Sequence, residues 1–284
     1  MKGLPMSRKL RNILLILFFV IFTFSFIKVA AIFIDYKKAQ NLYGEMQDKY
    51  VVENTASDTE DDSKAPSSAV STDLAPAAPS EDAGAHSSIY GYSAQQAPIS
   101  VDFDGLLREN ADTVGWIYIE GIPSISYPLT QTDNDDYYIN HTFDGQESKS
   151  GTCFITCRAA ADLTSPHTLV FGHNMRDGTM FSDLASFKAA DFTCEHPYFW
   201  ILTPEGDYRY EVFSVFDVNR VSDAFCVFSA FDENYADWLR MTKERSLFPL
   251  EADVSAEDRV VTLVTCVPDS YNRTCVVAKL IKGE

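Results

Sequence analysis

A cysteine and an arginine seven positions apart, Cys266 and Arg273, are the residues whose types and spacing can do chemistry. Val261-Thr262-Leu263-Val264-Thr265 runs into the cysteine, and Thr274-Cys275-Val276-Val277-Ala278-Lys279-Leu280 follows the arginine. Both runs are rich in β-branched residues, and Val267 to Asn272 between them carries Pro, Asp, Ser and Asn, so the stretch reads as two strands joined by a loop. Cys266 then ends one strand and Arg273 begins the next. A thiol facing a guanidinium is a nucleophile beside a donor for a developing oxyanion.

A thiol needs a base or a cationic neighbour to become a nucleophile near neutral pH. The second chemical stretch supplies one: Thr168-Leu169-Val170-Phe171 reads as a strand that ends at Gly172-His173, after which Asn174-Met175-Arg176-Asp177-Gly178-Thr179-Met180-Phe181 forms a polar, glycine-bearing loop. His173 at that rim suits a general base that later protonates a leaving amine. Taken singly, each residue has a plainer reading: a surface histidine, a salt-bridge arginine, a buried thiol. Asn174 and Asp177, beside the base, read first as loop-turn residues. The other histidines carry less context, since His86 lies in a polar segment, His141 follows an acidic loop, His167 starts a strand and His196 precedes Pro197.

The elements that must position these residues form many short strands: 114–119, 125–129, 151–157, 167–171, 198–202, 208–219 and 260–265. That pattern points to a closed or sandwiched β architecture. A short amphipathic helix is expected over Asp102 to Asp112. A longer one is expected from Phe231 to Leu247, capped by Asp232 and placing Tyr235, Trp238, Leu239 and Thr242 on one face.

Ahead of this folded part, Ile13 to Ile34 is an apolar run of membrane-spanning length behind Lys2, Arg8, Lys9 and Arg11, which predicts a retained anchor with a cytoplasmic N-terminus, residues 1–12. A cleaved signal peptide with Val29-Ala30-Ala31 as its site is the alternative. Asp35 to Tyr50 suits a juxtamembrane helix. Glu53 to Pro98 is dominated by Ser, Ala, Pro, Asp and Glu and is expected to be a disordered, acidic tether, so that residues 35–100 connect the anchor to a catalytic domain at 101–284. The formal net charge of -18 excludes a nucleic-acid partner and reads as surface solubility.

Six cysteines occur without any CxxC pair. Extended at roughly 3.3 Å per residue, Cys153 and Cys157 are about 13 Å apart, beyond disulfide reach. Buried free thiols are the expectation for Cys153, Cys157, Cys194 and Cys226. No cofactor or metal is expected, with one alternative: Cys275 should share the face of Arg273, which leaves a zinc site of Cys266, Cys275 and His173 open.

The motifs together resemble those of class B sortases, membrane-anchored cysteine transpeptidases of Gram-positive bacteria. The family's Thr-Leu-x-Thr-Cys is matched by Thr262 to Cys266, its arginine by Arg273, and its Gly-His-Asn/His-Met with Asp-Gly-Thr/Ser-Met-Phe behind it by Gly172 to Phe181. Val114-Gly115-Trp116-Ile117 and Asn134-Asp135-Asp136-Tyr137-Tyr138 extend the resemblance over residues 101–284. It implies a closed eight-stranded β-barrel with an N-terminal helix and a helix before the last two strands. It also implies acyl transfer: Cys266 as nucleophile on the sorting-signal peptide of a surface protein, His173 as general acid and base, Arg273 on the oxyanion, and an amine of a peptidoglycan precursor or a pilin lysine as acceptor. The chain departs from the family at Val264, where a serine is usual, in its short Cys-to-Arg loop, and at Thr156-Cys157-Arg158 in place of Asp-Tyr-Arg. A cell-wall cysteine hydrolase and a non-catalytic tethered binding module are the rival functions.

Overall fold

The structure, a computed structural model, describes residues 8–54, 96–267 and 271–281. In chain order it runs α1 (Arg8–Tyr50), β1 (Val51–Glu53), β2 (Ile99–Val101), α2 (Phe103–Glu109), β3 (Thr113–Ile119), β4 (Ile122–Thr130), β5 (Cys153–Ile155) and β6 (His167–Phe171). After a 3-10 segment, Ser182–Lys188, come α3 (Ala190–Glu195), β7 (Tyr198–Thr203), β8 (Gly206–Asn219), a second 3-10 turn, Asp223–Phe225, α4 (Glu233–Glu244), β9 (Val260–Cys266) and β10 (Asn272–Leu280). Eight strands close into a barrel in the order β10-β8-β7-β3-β4-β5-β6-β9, as the resemblance implied.

Most neighbours pair antiparallel, but β4 with β5 and β6 with β9 are parallel. The second of these pairs positions the site. Between β6 and β9 the chain makes a long excursion through β7, β8 and α4, and a parallel pairing requires such a crossover. It returns with Phe171 opposite Val264, so both strands deliver their C-terminal ends to the same barrel rim.

Two apolar layers hold the barrel. One contains Trp116, Leu129, Val170, Leu263 and Val276. The other lies under α4, where Tyr235, Trp238 and Leu239 pack on Phe213, Phe216, Cys275 and Val277. The sequence marks α4 well: Asp232 accepts from the Tyr235 N–H at 3.0 Å, and the four residues expected on its inner face are its buried ones. Asp102 caps α2 likewise through Gly105 at 2.9 Å, although only Leu106, not Leu107, is buried there.

The structure corrects the boundary at residue 101. The juxtamembrane segment continues the apolar helix without a break, and Ala39, Tyr43, Met46 and Tyr50, spaced four, three and four, are buried in the barrel's main apolar layer. Val51–Glu53 then pairs with Ile99–Val101, and the Asn54 N–H donates to the Pro98 carbonyl at 2.8 Å. The folded body therefore starts near Ala39. Of the expected tether, Glu53 to Pro98, residues 55–95 lie outside the described residues, while its described ends pair with each other and α1 packs directly on the barrel.

The thiols also need correction. All six cysteines are free, but of the four expected to be buried only Cys153 is; Cys157, Cys194 and Cys226 are exposed. In place of a single strand over 151–157, β5 stops at Ile155, and the turn after it carries Cys157 to the surface.

Candidate active site

The parallel register places His173 and Cys266 at equivalent positions. Each lies two residues beyond the matched pair Phe171 and Val264, and the Gly172 N–H extends the ladder by donating to the Val264 carbonyl at 3.1 Å. Arg273 enters from the other side, directly opposite Cys266 in the antiparallel β9–β10 pair. The Val267 N–H donates to the Asn272 carbonyl at 3.1 Å. The adjacent Cys266/Arg273 pair is then of the non-hydrogen-bonded kind, in which facing side chains come closest. The thiol is thus flanked by the imidazole strand on one side and the guanidinium strand on the other, each about 5 Å away in backbone spacing.

All three side chains line one groove of about 240 Å³. Its floor is Phe154, Phe171 and Val264, with the two phenylalanine rings stacked at 5.4 Å. Val264, the residue that departs from the family pattern, is therefore a floor residue, and its side chain is buried. Asp135, Asp136, Ile139 and Thr152 also line it. Cys266 is half-buried, open enough to meet a substrate.

Hydrogen bonds set the histidine's role. His173 Nε2 lies 2.7 Å from the Ile139 carbonyl, which can only accept, so Nε2 carries a proton and Nδ1 is the ring nitrogen left for proton exchange. The Asn174 side-chain amide donates to the Cys266 carbonyl at 2.8 Å and ties the histidine loop to the cysteine strand. Gly172 precedes the histidine because nothing larger fits: a Cβ there would meet the Phe181 ring at 2.6 Å. Arg273 Nη1 donates to the Asn272 carbonyl at 3.1 Å, using one N–H of the guanidinium fork.

Sequence reasoning therefore identified three residues that the fold brings together. It ranked Asn174 as a loop-turn residue, whereas its side chain reaches the cysteine backbone. Asp177 does hold its own turn, accepting from the Thr179 N–H and hydroxyl at 3.2 and 2.7 Å. Ile139 was missed, because a backbone carbonyl has no signature in side-chain identity. Cys275 does share the face of Arg273, but it is fully buried in the layer under α4 and does not line the groove; burial pushes its thiol well above the ordinary range. Among the described residues no cluster of three His, Cys, Asp or Glu side chains suits a metal ion. Arg158 does not line the groove; it lies 3.9 Å from Asp135 and donates to the Phe225 carbonyl at 3.3 Å.

A closed barrel carrying a thiol between an imidazole and a guanidinium defines a thiol-dependent acyl-transfer enzyme. The sortase-domain family model matches residues 121–281. Sortase B of Listeria monocytogenes is 32% identical over 163 residues, 57% of this chain and 65% of that protein's length. Sortase B of Staphylococcus aureus is 30% identical over 194 residues, 67% of this chain and 79% of that protein. Among solved structures, a Staphylococcus aureus sortase B–substrate complex superposes with a TM-score of 0.60 at 29% identity, covering 64% of this chain and 85% of that one. The chain belongs to the sortase family of cysteine transpeptidases, and its relatives here are of class B.

Proposed function

We propose that this chain is a membrane-anchored transpeptidase that cleaves the C-terminal sorting signal of surface proteins and joins the new carboxyl end to an amine of peptidoglycan or of a pilin lysine. The observation that carries the proposal is the arrangement of Cys266 between His173 and Arg273 at one barrel rim, facing a single groove. In this mechanism the Cys266 thiolate attacks the scissile carbonyl carbon and the Arg273 fork receives the developing oxyanion. His173, protonated at Nδ1, delivers that proton to the departing amine as the C–N bond breaks. A thioacyl enzyme remains. The incoming amine gives a proton back to His173 as its nitrogen attacks, and Cys266 leaves as thiolate.

The apolar floor suits an extended peptide whose polar backbone stays at the rim. The unbroken helix from Arg8, with an 18-residue window apolar enough to cross a membrane, supports a single span over 13–34. The basic residues before it favour a cytoplasmic N-terminus for 1–12 and an extracellular barrel.

The test incubates the full chain in detergent micelles with a library of five-residue sorting peptides and a primary amine, read by mass spectrometry. A thioacyl adduct on Cys266 and an amine-joined product are expected. Cys266→Ala should form neither while keeping its melting temperature. Hydrolysis alone at saturating amine would replace the transpeptidase reading with a hydrolase one, and unchanged function in Cys266→Ala would point to a binding module.

A further inference from the structure

The helix that leaves the membrane segment does more than attach the barrel. Tyr43, on its buried face, donates its hydroxyl to the Gly151 carbonyl and lies 3.1 Å from the Thr152 hydroxyl. Thr152 lines the catalytic groove. Gly151 adopts φ +57 and packs so tightly on the chain beside it that a Cβ would fall 2.4 Å from the Tyr138 carbonyl oxygen and 2.7 Å from that of Ile139. The Ile139 carbonyl is the one that holds His173 Nε2. Eight residues earlier on the same helix, Asp35 accepts from the Lys149 N–H at 3.2 Å, so the helix grips this segment twice.

A second path runs to the other side of the histidine. The Tyr43 ring meets Tyr127 edge-on, with centroids 5.4 Å apart. The Tyr127 hydroxyl accepts from the Met180 N–H at 2.9 Å. Met180 is bridged to Asn174, whose side chain holds the Cys266 carbonyl. Next to it, the Phe181 N–H donates to the His173 carbonyl at 2.8 Å. Burial pushes the Tyr43 phenol far above its ordinary range, which keeps it a proton donor.

We infer that Tyr43 is a positioning residue for the catalytic histidine: the helix emerging from the membrane supports, through the Gly151 and Met180 segments, the Ile139 carbonyl and Asn174 amide that fix His173 and Cys266. The inference rests on the transpeptidase reading. It means that the catalytic geometry is completed by the juxtamembrane helix, which by sequence belongs to the connecting segment 35–100 rather than to the catalytic domain.

The experiment compares the full chain with Tyr43→Phe and Gln47→Ala in the same micelles. Gln47 lies one turn on and also fastens the helix to the barrel, through the Ser126 carbonyl at 2.7 Å, but it makes no hydrogen bond to Gly151, Thr152 or Met180. Tyr43→Phe should lower kcat about tenfold with KM within about twofold, and the slowly exchanging His173 Nε2–H signal in proton–nitrogen spectra should broaden. Gln47→Ala should lower the melting temperature and leave kcat of the folded enzyme unchanged. Wild-type kcat and an unchanged imidazole signal in folded Tyr43→Phe would overturn the inference, as would an equal fall in kcat in both variants. If wild-type enzyme joins no peptide to amine, it is the transpeptidase reading that fails instead.

Discussion

Cutting the chain at residue 101, where sequence composition places the start of the domain, should leave a weakened barrel. The cut removes β1 and the buried face of α1, in which Tyr43, Met46 and Tyr50 are 4%, 3% and 4% exposed. Burying side chains of this size contributes about 2 kcal/mol each. Allowing for a compact unfolded chain lowers that by about a quarter, and the ordering of the helix opposes it further. The lost bonds from Tyr43 to Gly151, from Gln47 to Ser126 and across the β1–β2 pair act in the other direction, at about 1 kcal/mol each. A net loss of about 4 kcal/mol is expected, a large share of the roughly 5–15 kcal/mol that holds a domain folded. At about 2–4 °C per kcal/mol for a domain of this size, the melting temperature should fall by about 10 °C. The assay is thermal denaturation by circular dichroism of two soluble chains, residues 35–284 and 101–284, in one buffer. Melting temperatures equal within about 2 °C would refute the reasoning and restore residue 101 as the boundary.

Arg273→Lys keeps the charge but removes the planar fork, and should reduce kcat for peptide cleavage by about a hundredfold with KM little changed; full kcat in folded Arg273→Lys would remove the oxyanion role. His167 gives a pH dependence. It is fully buried against Trp238, with Nδ1 donating to the Cys226 carbonyl at 2.6 Å and Nε2 accepting from Thr262 at 2.8 Å. Burial, aided by Arg158 and opposed by the Cys226 carbonyl, pushes its pKa down to about 4. Because the unfolded chain protonates first, this contribution to stability is intact above about pH 6.5 and is lost as pH falls to about 4, amounting to about 3 kcal/mol. Urea unfolding between pH 7 and 4 should show a steeper loss for wild type than for His167→Gln, and parallel curves would exclude the effect.

What the sequence discloses here follows from how local each signal is. Cys266, Arg273 and His173 sit at the ends of β-branched runs, and strand ends are written in adjacent residues. The same holds for α4, whose cap and inner face are separated by a turn or two. The parallel β6–β9 pairing is not local: eighty-eight residues lie between Phe171 and Val260, and only the family resemblance brought the histidine to the cysteine. The docked face of α1 was present as Ala39, Tyr43, Met46 and Tyr50, but a helix continuing from an apolar run is naturally read as a stalk. The 3-10 segment at Ser182–Lys188 and α3 are too short for periodicity to register. Cys157, Cys194 and Cys226 show the limit of a residue-type prior, since cysteine is usually buried and these are not.

The β1–β2 pairing carries a consequence for how this protein can change. Because Asn54 is bonded to Pro98, everything between them is an insertion in a closed circuit. Its length does not set the distance from the apolar end of α1 to the barrel, which the continuous helix spans at about 1.5 Å per residue. Doubling such an insertion costs only about 0.6 kcal/mol in closure entropy. Shortening the sequence between Asn54 and Pro98, or grafting a foreign one there, should therefore leave that distance unchanged.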